Sequence, residues 1–234
     1  MENIEENIRT NLEPLKEPKR IDRHYISHEI QHLIHFDKGF LFTVKGLLTR
    51  PGKSVREFLL KDRTKYVKPV LFLIITSVIF TFTIHSLHIR FSFFNVDEII
   101  PLKGKIRSKE IGEWTDSHSG YAQLIMGIFI AFWIKIFFNK FKYNIYEILV
   151  LLSFVLGEAV LILTFFTVSA QVFESGYLAT FGIIIYFTYI IWAIGQFFGE
   201  KKAVNYVKSS LVYFLGNATY MGVLVLIAYL LTFI

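Results

Sequence analysis

Five long apolar stretches make up most of the second half of the chain and beyond, and the charged residues gather ahead of them. The stretches run over about 69–87, 121–138, 146–168, 177–198 and 209–234. Each spans roughly 18–26 residues, and a hydrocarbon core about 30 Å thick needs about 20 residues of helix at 1.5 Å rise. The first is rich in Ile, Val, Thr and Phe, a strand-like composition in water. Its length without a turn signal argues for a helix, because in lipid a helix closes all its backbone bonds internally. A buried helix of a soluble core would explain one such run, but it explains five in series poorly.

Residues 1–19 are polar, carry two prolines and have no apolar period, so they are expected to form a disordered tail. From Arg20 to about Leu48, apolar residues Ile26, Ile30, Leu33, Ile34, Leu41, Val44 and Leu48 recur at helical spacing. They predict an amphipathic helix, or a pair broken at Gly39, of the kind that lies in a membrane interface or docks on a bundle. A further short helix is predicted from Pro51, which suits a first helical turn; Val55, Phe58 and Leu59 form its apolar face. Residues 20–68 thus make a cytoplasmic interfacial head, and residues 69–234 a membrane domain with an outer loop at 88–120. The fold class expected is all-α and polytopic.

Charge sharpens this division. Residues 1–68 hold 14 of the 25 Lys/Arg and 10 of the 19 Asp/Glu, whereas residues 121–234 hold only 6 and 4. Arg50, Lys53, Arg56, Lys61, Arg63, Lys65 and Lys68 stand immediately before the first span. Such a block is attracted to anionic lipid by about 1 kcal/mol per cation, which makes these seven the candidate lipid-binding residues. Nucleic acid is not expected as a partner, because no recognised binding motif accompanies the charge. With the N-terminus inside, twelve Lys/Arg flank the spans on the inner side and five on the outer, so an inside N-terminus and an outside C-terminus are predicted. The first apolar stretch begins only at Pro69, so no cleavable signal is expected and the first span serves as its own. The chain has no cysteine, which excludes disulfides and thiolate zinc sites.

Within the spans, Glu158 stands out. It lies thirteen positions after Ile145, about 20 Å along the third span. A carboxyl at that depth is costly unless protonated, paired or hydrated, so it is either a permeation contact or a group bonded to a neighbouring helix. Lys135 could pair with it only in a favourable register; snorkelling to the inner headgroups is the expectation. Asn217, Gln171, Gln196 and Gln123 are candidates for bonds between helices, and Gly195–Gly199 matches a small-residue packing pattern. Trp114, Tyr121, Tyr143, Tyr146, Tyr177 and Trp192 read as interfacial anchors. His24, His28, His32 and His35 share one helical face and are weak metal candidates; a solvated polar stripe is the expected reading. No catalytic signature, phosphate loop or dinucleotide fingerprint is present, so neither enzyme activity nor a cofactor is expected.

The run Asp37-Lys38-Gly39-Phe40-Leu41-Phe42-Thr43-Val44-Lys45, then Thr49-Arg50-Pro51-Gly52-Lys53-Ser54-Val55-Arg56-Glu57-Phe58 and Lys61-Asp62-Arg63-Thr64-Lys65-Tyr66, resembles an uncharacterised family of bacterial inner-membrane proteins. The family is a domain of unknown function. Its mark is a Gly-Phe-Leu-x-Thr, Arg-Pro-Gly, Arg-Glu-Phe/Tyr, Lys-Arg-x-x-Tyr head before several spans. Many members begin with a four-cysteine zinc ribbon, which is missing here, and the family's Lys-Arg pair is Asp62-Arg63 in this chain. The resemblance implies a location in the inner membrane and no established activity. The function expected is a non-enzymatic scaffold or adaptor whose head binds anionic lipid or a cytoplasmic partner; a homo-oligomer is compatible with it. The alternative is a small channel, a transporter or a pore-forming effector of a bacterial defence system, using Glu158 and the polar span residues.

Overall fold

The computed structural model describes residues 39–89, 112, 114, 115 and 118–231, with the backbone alone at 119 and 120. The expected tail, the four-histidine row, most of the 88–120 loop and the last three residues lie outside the described residues. Seven α-helices are described: α1 (Gly39–Thr49), α2 (Pro51–Leu60), α3 (Pro69–Ser86), α4 (Ser119–Phe137), α5 (Ile145–Val172), α6 (Gly176–Gly199) and α7 (Ala203–Leu231). A 3₁₀ turn, Asn139–Phe141, follows α4.

Local chemistry sets the helix starts. Pro51 and Pro69 open α2 and α3, where a missing N–H costs nothing. Asn144 starts α5 with a capping box: its side chain accepts from the Glu147 N–H at 2.9 Å, and the Glu147 carboxylate accepts from the Asn144 N–H at 2.7 Å. Just before it, Lys142 turns the chain with φ 58°.

Four helices, α3, α5, α6 and α7, are long and apolar enough to cross a membrane. The second predicted span, 121–138, falls on α4, whose apolar portion Tyr121–Phe137 is shorter and reaches about 26 Å. It nevertheless belongs to the same bundle and runs antiparallel to α7. Lys208 donates to the Phe137 carbonyl at 3.3 Å, and two turns further along α7 the Gly216 backbone lies against Ile130.

Burial is organised around α5. Every residue from 151 to 160 is buried, because α3, α4, α6 and α2 surround this helix. The outer helices bury one stripe each and turn large apolar side chains outward, among them Phe82 (72% exposed), Phe132, Ile184 and Leu226. Apolar exposure on this scale is foreign to a monomer in water and natural against lipid tails. Close helix approach uses small residues: a Cβ on Gly157 would come within 2.8 Å of the Phe72 ring.

Among the described residues the lysines and arginines lie toward one end of the bundle, on α1, α2 and the segments flanking α2, in the turns joining α4 to α5 and α6 to α7, and at Lys135 in the last turn of α4 and Lys208 in the second turn of α7. The opposite end carries Glu174, in the turn between α5 and α6. The cysteine-free sequence makes this separation directly measurable. Single cysteines placed at Lys142 and Lys202 are expected to react with an impermeant maleimide from one face of sealed vesicles, and one placed at Glu174 only from the other. Labelling of all three from the same face would refute the arrangement.

Candidate functional site: the docked basic end

The head is folded onto the bundle by hydrogen bonds that join two helix ends. The last four carbonyls of a helix have no partner within it. In α6 these belong to Gln196, Phe197, Phe198 and Gly199. Arg56 donates through Nη1 to the Gln196 and Phe197 carbonyls at 2.9 and 2.5 Å, and Asn205 donates through Nδ2 to the Phe198 and Gly199 carbonyls at 2.9 and 3.1 Å. A guanidinium there also meets the negative end of the helix dipole. In the other direction, the Gln196 side chain accepts from the Gly52 N–H at 2.8 Å, one of the orphan donors at the start of α2. Residue 52 must be glycine for this contact, since a methyl group would overlap the backbone at Gln196 and Phe197.

The rest of the head is tied to itself and to α5. Thr43 donates to the Gly39 carbonyl at 2.7 Å and accepts from the Val67 N–H at 3.1 Å, linking α1 to the chain entering α3. Ser54 donates to the Gly46 carbonyl at 2.9 Å. Tyr189 of α6 donates to the Leu47 carbonyl at 3.1 Å. Phe58, Tyr66 and Phe72 gather their rings around Phe154 of α5, with centroids 5.1, 6.4 and 5.9 Å away. Burial pushes the Tyr66 phenol above its ordinary pKa, so at neutral pH it keeps the proton it donates to Glu57 at 3.2 Å. The face predicted for α2 is buried against protein through Val55 and Phe58, whereas on α1 the predicted Leu41 and Leu48 are exposed and Leu47 is the residue that is covered.

This docking sorts the seven candidate cations. Arg56 is half-buried and occupied by α6. Lys53 pairs with Glu200 at 3.2 Å, both exposed, and Lys65 pairs with Asp62 at 3.3 Å. Asp62 also accepts from the Thr64 hydroxyl and N–H, which hold its carboxyl below the usual range. Arg63 donates to the Leu59 carbonyl at 3.4 Å and lies over the Phe58 ring. Arg50, Lys61 and Lys68 are exposed and have no side-chain hydrogen bond or ion pair among the described residues. Beside α2 lies a cleft of about 360 Å³, lined by Arg50, Lys53, Arg56, Glu57, Leu60 and Lys61.

Glu158 lies in the interior, 1% exposed, and neither carboxyl oxygen meets a hydrogen-bond partner among the described residues. The neighbouring Gly157 sits against Phe72 and Leu73, only one turn into α3. Glu158 is thus level with the first turn of α3 although it lies thirteen residues into α5, and it lies near Tyr189. Lys135 is not its partner: it reaches to the basic end and donates to the Tyr143 carbonyl at 2.6 Å. Asn217 is half-buried beside Tyr213 on its own helix. Gln123 is buried with both side-chain polar atoms unpaired, and Gln171 is exposed at the far end. Gly195 is covered by the Tyr206 ring of α7, so this end of the small-residue pattern packs within the chain. Among the described residues no group of His, Cys, Asp and Glu could hold a metal.

Gln196, the residue that joins the head to the bundle, reads in the sequence as one polar span residue among four. The available signal was Gly52, a glycine in the first turn of a helix, where only a close backbone approach requires one. Residues 37–81 match a family of unknown function. Its description is "Protein of unknown function (DUF3667)", and the matched segment holds α1, α2 and most of α3. No curated protein and no solved structure matches the chain.

Gly52→Ala is expected to destabilise head docking by about 1–3 kcal/mol through overpacking. Gln196→Leu is expected to cost about 1–3 kcal/mol by leaving the Gly52 N–H buried and unpaired. Lys53→Ala removes only an exposed ion pair and should cost under about 1 kcal/mol. Thermal unfolding in detergent, with limited proteolysis between α2 and α3, measures all three. A Lys53→Ala effect as large as the other two would overturn the assignment.

Proposed function

We propose that the protein is a non-enzymatic scaffold or adaptor of a bacterial inner membrane, with its N-terminus cytoplasmic and its C-terminus outside, whose basic end holds anionic lipid or a cytoplasmic partner. The observation that carries this reading is the fixed docking of α1 and α2. It sets Arg50, Lys61 and Lys68, which lack ion pairs among the described residues, beside the start of α3. Cations held in place near a headgroup layer attract anionic lipid without first ordering a flexible segment, at about 1 kcal/mol each. Placing this end inside follows from the bias of Lys and Arg toward cytoplasmic loops.

The triple variant Arg50→Glu/Lys61→Glu/Lys68→Glu, reconstituted in nanodiscs of mixed lipid, is expected to lose most of the chain's preference for anionic over zwitterionic lipid. An unchanged lipid preference would count against the reading.

A second reading, permeation as a small channel, transporter or pore-forming effector, is favoured by the unpartnered Glu158 carboxyl. A buried carboxyl facing no hydrogen-bond donor is a frequent mark of an ion or proton path in membranes. Ion or proton flux into liposomes that is abolished by Glu158→Gln would establish it; absence of flux in both forms would retire it.

A further inference from the structure

The cleft beside α2 has a more specific character than a diffuse basic surface. Arg50, Lys53, Arg56 and Lys61 place four positive charges around it, against the single carboxylate of Glu57. Two of the four are compensated or occupied, Lys53 by Glu200 and Arg56 by the α6 carbonyls. Glu57 accepts from the Tyr66 hydroxyl. Among the described residues Arg50 and Lys61 form no ion pair, and they stand one at each end of the short helix α2. Their side chains can move onto a ligand without breaking a hydrogen bond or ion pair among the described residues. At about 360 Å³ the cleft can take a small polar group. Leu60, 68% exposed, adds an apolar surface to it.

We propose that this cleft binds a phosphomonoester, a terminal phosphate bearing two negative charges. Arg50 grips two phosphate oxygens with its planar fork, a geometry suited to phosphate and one that lysine does not provide. Lys61 closes on the third as a point charge. Two uncompensated cations match a phosphomonoester, which carries about −1.5 to −2 at neutral pH, better than they match a phosphodiester with one charge. Leu60 lies where the carbon chain esterified to the phosphate would leave the cleft. The phosphate can be borne by an inner-leaflet lipid or by a small soluble molecule. Only the lipid source rests on the function proposed above.

The test uses the full chain in zwitterionic nanodiscs doped with either a phosphomonoester lipid or a phosphodiester lipid, with bound lipid counted by native mass spectrometry. The expected result is retention of the phosphomonoester lipid at least about tenfold over the diester. Arg50→Gln/Lys61→Gln should abolish this preference, while Lys140→Gln/Lys142→Gln, exposed and outside the cleft, should leave it intact. Neither pair makes a contact on which head docking depends, and unchanged thermal unfolding confirms this. In a second arm, glycerol phosphate is titrated against lipid-free protein in neutral detergent. Binding of glycerol phosphate, lost in Arg50→Gln/Lys61→Gln, with no phosphomonoester lipid retained, would keep the cleft and overturn its lipid source. Equal retention of the two lipids together with no binding of glycerol phosphate overturns the proposal. So does equal loss of the preference in both variant pairs.

Discussion

The mutual satisfaction of two helix ends, the start of α2 and the finish of α6, governs how this protein is arranged at its basic end. A helix that stops inside protein leaves four carbonyls without partners, and burying them bare would cost about 1–3 kcal/mol each. Here Arg56 and Asn205 divide the four between them, one from the head and one from the next helix. Gln196 returns a bond to the Gly52 N–H. The head is therefore attached at the point where the bundle most needs donors, and it cannot be displaced without exposing them.

That attachment explains the aromatic cluster around Phe154. Once Gly52 lies against the α6 backbone, Phe58 is carried onto α5, and Tyr66 and Phe72 fill the remaining faces of the same ring. The head covers one flank of α5, the most enclosed helix in the bundle, and places the Leu47 carbonyl within reach of Tyr189. Glu158 lies just beyond this layer. The adjacent Gly157 packs against the first turn of α3, so Glu158 is level with the start of that helix although it lies thirteen residues into α5.

The cations then fall into two groups for a physical reason. Those whose side chains can reach a carbonyl or a carboxylate of the folded chain are engaged there: Arg56, Arg63, Lys53 and Lys65. Those at the ends of α2 and at the entry to α3 form no hydrogen bond or ion pair among the described residues, and we propose that they serve a ligand or headgroups. Asp62 strengthens this sorting by holding Lys65 and closing a turn with Thr64.

The helices themselves were legible in the residue pattern, because a long uncharged apolar run leaves the backbone no option in lipid except to bond to itself. Their starts at Pro51, Pro69 and Asn144, and the concentration of positive charge before Pro69, follow from chemistry confined to neighbouring residues. Four runs proved long and apolar enough to span, while the run at 121–138 forms the shorter α4. What pattern alone could not supply was pairing between distant segments. The apolar face of α2 suits lipid and protein equally, and long-range contacts such as that of Gly52 with Gln196, 144 positions away, decide for protein. Glu158 illustrates the same limit: counting along its own helix fixes its distance from Ile145, but how near it lies to the basic end depends on the offset of α3 against α5, and that offset is set by packing across the bundle.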